Sequence, residues 1–140
     1  LNTQPTTSGQ GLANFLEVVL PEQANHYGTL YGPCALHMMG KAAFVCATRH
    51  AGRPVVMAKA DSIEFLRPIR IGSIIEVRAR IVFQGKSSMT VGVEIAPENP
   101  AGGDAAPAIT GRFMMVAVDG DGRPVPISVS DQCTAEELRP

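Results

Sequence analysis

Residues 32–54 read GPCALHMMGKAAFVCATRHAGRP, and the fold turns on this stretch. A proline one place inside a helix start gives up only an amide hydrogen that has no intrahelical partner, so Gly32-Pro33 marks a beginning. Ala51-Gly52-Arg53-Pro54 marks an end. Between them, to about His50, the apolar residues Cys34, Ala35, Leu36, Met38, Met39, Ala42, Ala43, Phe44, Val45, Cys46 and Ala47 cover nearly the whole circumference. A helix apolar on all sides is enclosed by other structure.

That enclosure has to come from strands. Leu12 to Leu20 reads as a first strand ended by Pro21, and Val55–Phe65, Ile74–Gln84, Ser88–Ala96 and Ile109–Val118 read as four more. Val77, Ala79, Ile81 and Phe83 alternate with Glu76, Arg78 and Arg80, the period of a half-buried strand. Met89, Val91, Val93 and Ile95 repeat it. Gly85-Lys86 suits a tight hairpin with glycine at the first central position, and Asp119-Gly120-Asp121-Gly122 marks another turn. The latter superficially suggests calcium, but the remaining ligands of such a loop are missing. Pro97 to Ala108, with three prolines and no bulky apolar residue, predicts a long exposed loop. One strand, a loop, one long apolar helix and four consecutive strands predict an α+β domain in which a curved antiparallel sheet wraps a central helix.

The bulk numbers agree with one domain. The chain has 140 residues, 45% of them hydrophobic, with 12 basic and 13 acidic residues for a net charge of −1. Such a balance gives no broad reason to expect nucleic acid or an anionic membrane as partner. Residues 1–10 predict a flexible arm, 11–128 the domain, and 129–140 a tail in which Thr134 and Glu137 form a capping-box pattern for a short helical turn. Three cysteines without a framework spacing, no signal-like N-terminal stretch and no long uncharged apolar run predict a soluble, cytoplasmic protein.

Three stretches carry a resemblance: PEQANHYGTLYG (21–32), EFLRPIRIGSIIEVRARIVFQGKSSM (64–89) and FMMVAVDGDGRPVPI (113–127). Their most specific parts are Asn25-x-x-Gly28-x-x-x-Gly32 and Phe65-Leu66-Arg67-Pro68 followed by Ile71-Gly72. Together they resemble the bacterial acyl-CoA thioesterases of the hot-dog superfamily, over roughly residues 12–127. The resemblance implies hydrolysis of acyl-CoA without metal or redox cofactor, coenzyme A entering as part of the substrate. It also implies a homodimer with two helices side by side and active sites across the subunit boundary, often assembled further to a hexamer.

On the same resemblance, Asn25 positions the thioester or the attacking water, and amides at the helix start receive the oxyanion, as unpaired N-terminal amides are suited to do. A carboxylate one or two turns into the helix, usually in a Met-Asp-Glu-Ala context, acts as base or nucleophile. Here that run is Met39-Gly40-Lys41-Ala42, and no Asp or Glu occurs between Glu22 and Asp61. Pro33 departs too: where two glycines are usual it cannot donate a hydrogen bond, leaving Gly32 or Cys34 as donors. Gly40 reads either as close packing of a partner helix or as a vacated pocket wall.

The candidates for a replacement base are His37, one turn before Gly40, and Glu64 or Asp61, which strand alternation places on opposite faces. Cys34 and His37 also share a helical face as a conceivable nucleophile and base, although Cys34 reads equally as core. Arg67, Arg70 and the turn Gly85, Lys86, Ser87, Ser88 are the candidates for the CoA phosphates, with solvated strand-end charges as the plain alternative. The functional expectation is an acyl-CoA thioesterase with slow turnover. The alternatives are a hot-dog protein that binds CoA or acyl-CoA without turnover and, more distantly, a dehydratase or hydratase, whose motifs centre on histidine.

Overall fold

A computed structural model describes residues 11–103 and 106–127. The expected arm and the expected tail with its capping-box turn lie outside the described residues.

The element order is β1 (Leu12–Val18), a 3-10 turn (Pro21–Gln23), α1 (Gly32–Ala51), β2 (Val55–Phe65), β3 (Ile74–Gln84), β4 (Ser88–Pro97) and β5 (Ile109–Ala117). The strands form one antiparallel sheet in the order β1-β3-β4-β5-β2. The helix lies along the inner face and touches all five strands, so the sequence expectation of a hot-dog arrangement holds.

Alternation builds the core. Val77 and Ala79 of β3, Met89, Val91, Val93 and Ile95 of β4, and Phe113, Met115 and Ala117 of β5 point inward onto Ala35, Met39, Ala43 and Cys46 of the helix. Each large side chain of this set contributes roughly 1.5–3 kcal/mol on burial. Gly52 takes the left-handed conformation (φ 69°) and its amide donates to the Thr48 carbonyl at 2.8 Å, ending the helix. Just before it, buried His50 meets Gln84 Oε1 through Nε2 at 2.7 Å, tying the helix C-terminus to the far end of β3.

Four local expectations are corrected. The helix is not enclosed all round: Leu36 and Phe44 are 39% and 48% exposed on the side away from the sheet. Gly85 is absent from the positive-φ glycines and the β3–β4 connection has three residues, so the turn is not of the glycine-first two-residue type. A Cβ at 85 would stand 2.9 Å from Ser88 Oγ, so a side chain there would push that hydroxyl aside. Phe83, expected inside, is 62% exposed because the β3–β4 register shifts between Ile81 and Phe83.

The fourth correction bears on chemistry. The β2–β5 register shifts between Asp61 and Glu64, with Ser62 at φ 56°. Asp61 therefore pairs with Arg112 and Glu64 with Thr110, two residues apart on β5 and hence on one face. Simple alternation had separated them.

Candidate active site

The loop between β1 and α1 is organised by Asn25. Its side-chain Oδ1 accepts from the backbone amides of Tyr27 (2.9 Å) and Thr29 (3.1 Å) and from Thr29 Oγ1 (3.2 Å). Two of these partners are obligate donors, so the oxygen is fixed inward and Nδ2 keeps both its hydrogens for another acceptor. Gly28, at φ 81°, makes the return, its amide donating to the Asn25 carbonyl at 3.0 Å. The loop then closes on itself through an Ala24–Leu30 bridge and a Tyr31 amide to Gln23 carbonyl bond of 2.9 Å, immediately before the helix. Bonds from Leu30 N to Ile69 O (2.7 Å) and Ile71 N to Gly28 O (3.0 Å) sew it to the Phe65–Gly72 segment. The two motifs picked out in the sequence are thus one structural unit.

At the helix start the amide donors are few. Cys34 and Ala35 both donate to the Tyr31 carbonyl at 3.0 Å, and Pro33 has no hydrogen to give. Of the two donors expected at this point, Cys34 is spent, and the Gly32 amide is the one without a backbone acceptor among the described residues. It points out of the positive end of a 20-residue helix whose first turn holds no acid. The ring of Phe65 lies 3.7 Å from where a Gly32 side chain would begin.

His37 is exposed and lies one turn before half-buried Gly40, on the stripe that the sheet leaves uncovered. A Cβ on Gly40 would meet Met57 Cε at 3.4 Å. Met57 was not picked out in the sequence, and no local pattern marks it, because only the placement of β2 beside the helix brings it there. Burial pushes the Cys46 thiol up to about 12, with Arg49 opposing weakly. That sulfur donates to the Gly11 carbonyl at 3.5 Å and is no nucleophile.

The remaining candidates are dispersed. Glu64 lies on the outer face of the sheet with Arg78 and Arg112, not beside Asn25, Gly32 or Gly40, and Asp61 is held 3.5 Å from Lys59. The Arg67 guanidinium binds the carbonyls of Ala106 and Pro107 and so closes a loop. Arg70 bridges Thr29 through its backbone, which leaves an exposed cation beside the Asn25 loop. Gly85, Lys86, Ser87 and Ser88 sit next to Gln84 and so at the His50 end of the helix. That end is about 27 Å from Gly32 at 1.5 Å per residue, so one chain does not bring this turn to Asn25.

Residues 27–103 match the profile described as the thioesterase superfamily. The chain is 32% identical over 120 residues to the uncharacterized acyl-CoA thioester hydrolase YkhA of Bacillus subtilis, covering 86% of this chain and 70% of that one. Its structure superposes on acyl-CoA hydrolase of Staphylococcus aureus in complex with butyryl coenzyme A, coenzyme A and coenzyme A disulfide with a TM-score of 0.81 at 27% identity, covering 95% and 86% of the two chains. A hexameric acyl-CoA thioesterase matches with a TM-score of 0.80 at 26% identity, covering 97% and 92%. With the Asn25 loop, the helix start and the sheet in this arrangement, the chain belongs to the thioesterase superfamily.

Proposed function

We propose that this chain is an acyl-CoA thioesterase of slow turnover, releasing free acid and coenzyme A. The observation that carries the reading is Asn25: its oxygen is locked by the loop that leads into the helix, and among the described residues neither its Nδ2 nor the Gly32 amide at the helix start has a backbone acceptor. In this reading Nδ2 holds the thioester carbonyl or the attacking water, and the Gly32 amide receives the oxyanion. The water oxygen bonds to the carbonyl carbon while His37 takes its proton. The C–S bond then breaks, and sulfur leaves with the electron pair and is protonated as the CoA thiol. No metal or redox cofactor takes part.

The site is a two-subunit site. Among the described residues strand β2 ends the sheet with one edge unpaired and exposes Val56, Met57 and Phe65, while Leu36 and Phe44 of the helix are exposed as well. Such an edge is normally covered. A homodimer with antiparallel helices sets the Lys86 turn of one chain opposite the Asn25 loop of the other, so that Arg70 and Lys86 reach the CoA phosphates from two chains. Assembly to a hexamer is supported by the hexameric relative. A cytoplasmic setting fits free thiols at Cys34 and Cys46 and the lack, among the described residues, of a helix long and apolar enough to cross a membrane.

A second reading, an acyl-CoA-binding protein without turnover, is favoured by Met57 filling the side of Gly40 where a carboxylate would act. Thiol release measured across acyl-CoA esters, beside binding of the same esters, separates the two. Slow release lost in His37→Ala supports the enzyme; tight binding with release at the buffer rate supports the binder.

A further inference from the structure

A bulge in β3 decides where Gln84 points. Ile81 pairs with Val91, Phe83 with Thr90 and Gln84 with Met89, so Val82 is the extra residue of the β3–β4 ladder. Val91 and Met89 are buried against the helix, and Thr90 is not. Paired residues share a face, so Phe83 turns outward and Gln84 toward the helix. Plain alternation from Ile81 would do the reverse. The bulge thus delivers Gln84 Oε1 to His50 Nε2, 2.7 Å away near the end of α1.

The imidazole has little freedom in that contact. His50 is buried, and a Cβ on Gly11 would stand 3.1 Å from Ile81 Cγ1 and 3.8 Å from His50 Nδ1, so the chain passes close over the ring. The Gly11 carbonyl accepts from the Ile81 amide at 2.8 Å and from Cys46 Sγ at 3.5 Å, which fixes that cover. With Gln84 Oε1 as acceptor, Nε2 carries the proton, and buried Nδ1 has no partner among the described residues. A buried nitrogen left without a partner costs stability, so the contribution of the ring lies in the bond that it does make.

That bond adjoins the turn between β3 and β4. Inside the turn the Gly85 amide donates to the Ser88 carbonyl at 2.8 Å, while the Lys86 and Ser87 carbonyls accept from the amides of Ile127 (3.0 Å) and Ala117 (2.8 Å). These backbone bonds tie the turn to the end of β5 and the segment after it; the bond from His50 to Gln84 ties it to the helix. We infer that His50 is a positioning residue for the phosphates of coenzyme A: acting through Gln84, it holds the Lys86 turn in a fixed place against α1. This role rests on the proposed part of Lys86 in binding CoA. It also gives the bulge at Val82 a purpose, because without it Gln84 would face away from the helix.

The test is calorimetric titration of the intact protein with a thioether analogue of acyl-CoA and with the same analogue cut back to pantetheine, which lacks the phosphates and the nucleotide. Gln84→Ala, a change at an exposed residue, should weaken the full analogue about fivefold, the scale of one hydrogen bond, and leave the truncated one unchanged. His50→Gln brings an amide close to the place of Nε2 and should keep the affinity near that of the wild type, whereas His50→Ala should match Gln84→Ala. Lys86→Ala should weaken the full analogue as well, and adding Gln84→Ala to it should bring no further loss. Equal weakening of both analogues by Gln84→Ala would overturn the inference, since the bond would then serve the fold as a whole. Weakening by Lys86→Ala with none by Gln84→Ala would overturn it too, and would leave Lys86 as a phosphate ligand. If Lys86→Ala changes neither analogue, the turn holds no phosphate and both roles fail together.

Discussion

Met57 Cε lies 3.4 Å from the point where a side chain on Gly40 would begin. The contact joins the middle of the helix to the edge strand β2, one turn after His37. Ordinary van der Waals spacing leaves room for a Cβ but sets a carboxylate against a methyl group, where desolvation disfavours its charge. Gly40→Asp alone should therefore raise acyl-CoA hydrolysis modestly. Gly40→Asp with Met57→Ser should raise it by about 10²-fold or more, the scale of a positioned general base. Thiol release under single-turnover conditions reads both. If neither variant gains, the fault lies at the oxyanion end, where Pro33 has no amide.

Asn25 divides cleanly into a structural half and a chemical half. Asn25→Asp keeps an oxygen for Tyr27, Thr29 and the Thr29 hydroxyl but exchanges the Nδ2 donor for a second acceptor. Its melting temperature should stay close to that of the wild type while acyl-CoA affinity and hydrolysis fall at least tenfold. Asn25→Ala loses both halves and should also cost about 1 kcal/mol, lowering the melting temperature by about 4 °C. Equal melting losses in both variants would mean that the amide group acts only as a loop former.

What the sequence shows and hides follows from range. Val77 and Ala79 announce their strand because alternation is local, and the Val55–Phe65 and Ile74–Gln84 bounds agree with the structure to the residue. Pairing is not local. The bulge at Ser62 carries no glycine to betray it, so Asp61 and Glu64 read as lying on opposite faces and land on the same one. The apolar circumference of the helix predicts enclosure, but Leu36 and Phe44 are apolar for a surface that a single chain leaves open. Asn25 is legible because loop chemistry lies in the spacing of Gly28 and Gly32, whereas Met57 is invisible until β2 is laid beside the helix.

Cys46 should behave as a core side chain with a pH signature. Its thiol is raised from 9.0 to about 12 in the fold because burial penalises the thiolate. The native state thus holds its proton where the unfolded chain releases it. This contribution to stability is complete below about pH 9 and drains away as pH rises from there through about 12. Peptide mapping after brief alkylation at pH 8.5 should find Cys46 unmodified until denaturant is added. Cys46→Ala should show a shallower loss of stability on the alkaline side than the wild type, read from urea midpoints across the window.

Lys86 and Asn25 stand at opposite ends of one helix, so their cooperation on one ligand requires two chains. In the proposed homodimer, Asn25→Ala damages the acyl end of a site and Lys86→Glu the phosphate end, so each variant dimer carries two damaged sites. When the two variants are unfolded together and refolded as a mixture, half the dimers pair one chain of each kind. In such a dimer both lesions fall in one site and the other site is intact. Titration with a non-hydrolysable thioether analogue of acyl-CoA should then recover high-affinity binding in about a quarter of all sites, as two-fold symmetry and random pairing require. Recovery near zero would place Lys86 in the same site as its own chain's Asn25, and binding in about half of all sites would place it in none; either result would give up the antiparallel arrangement of helices.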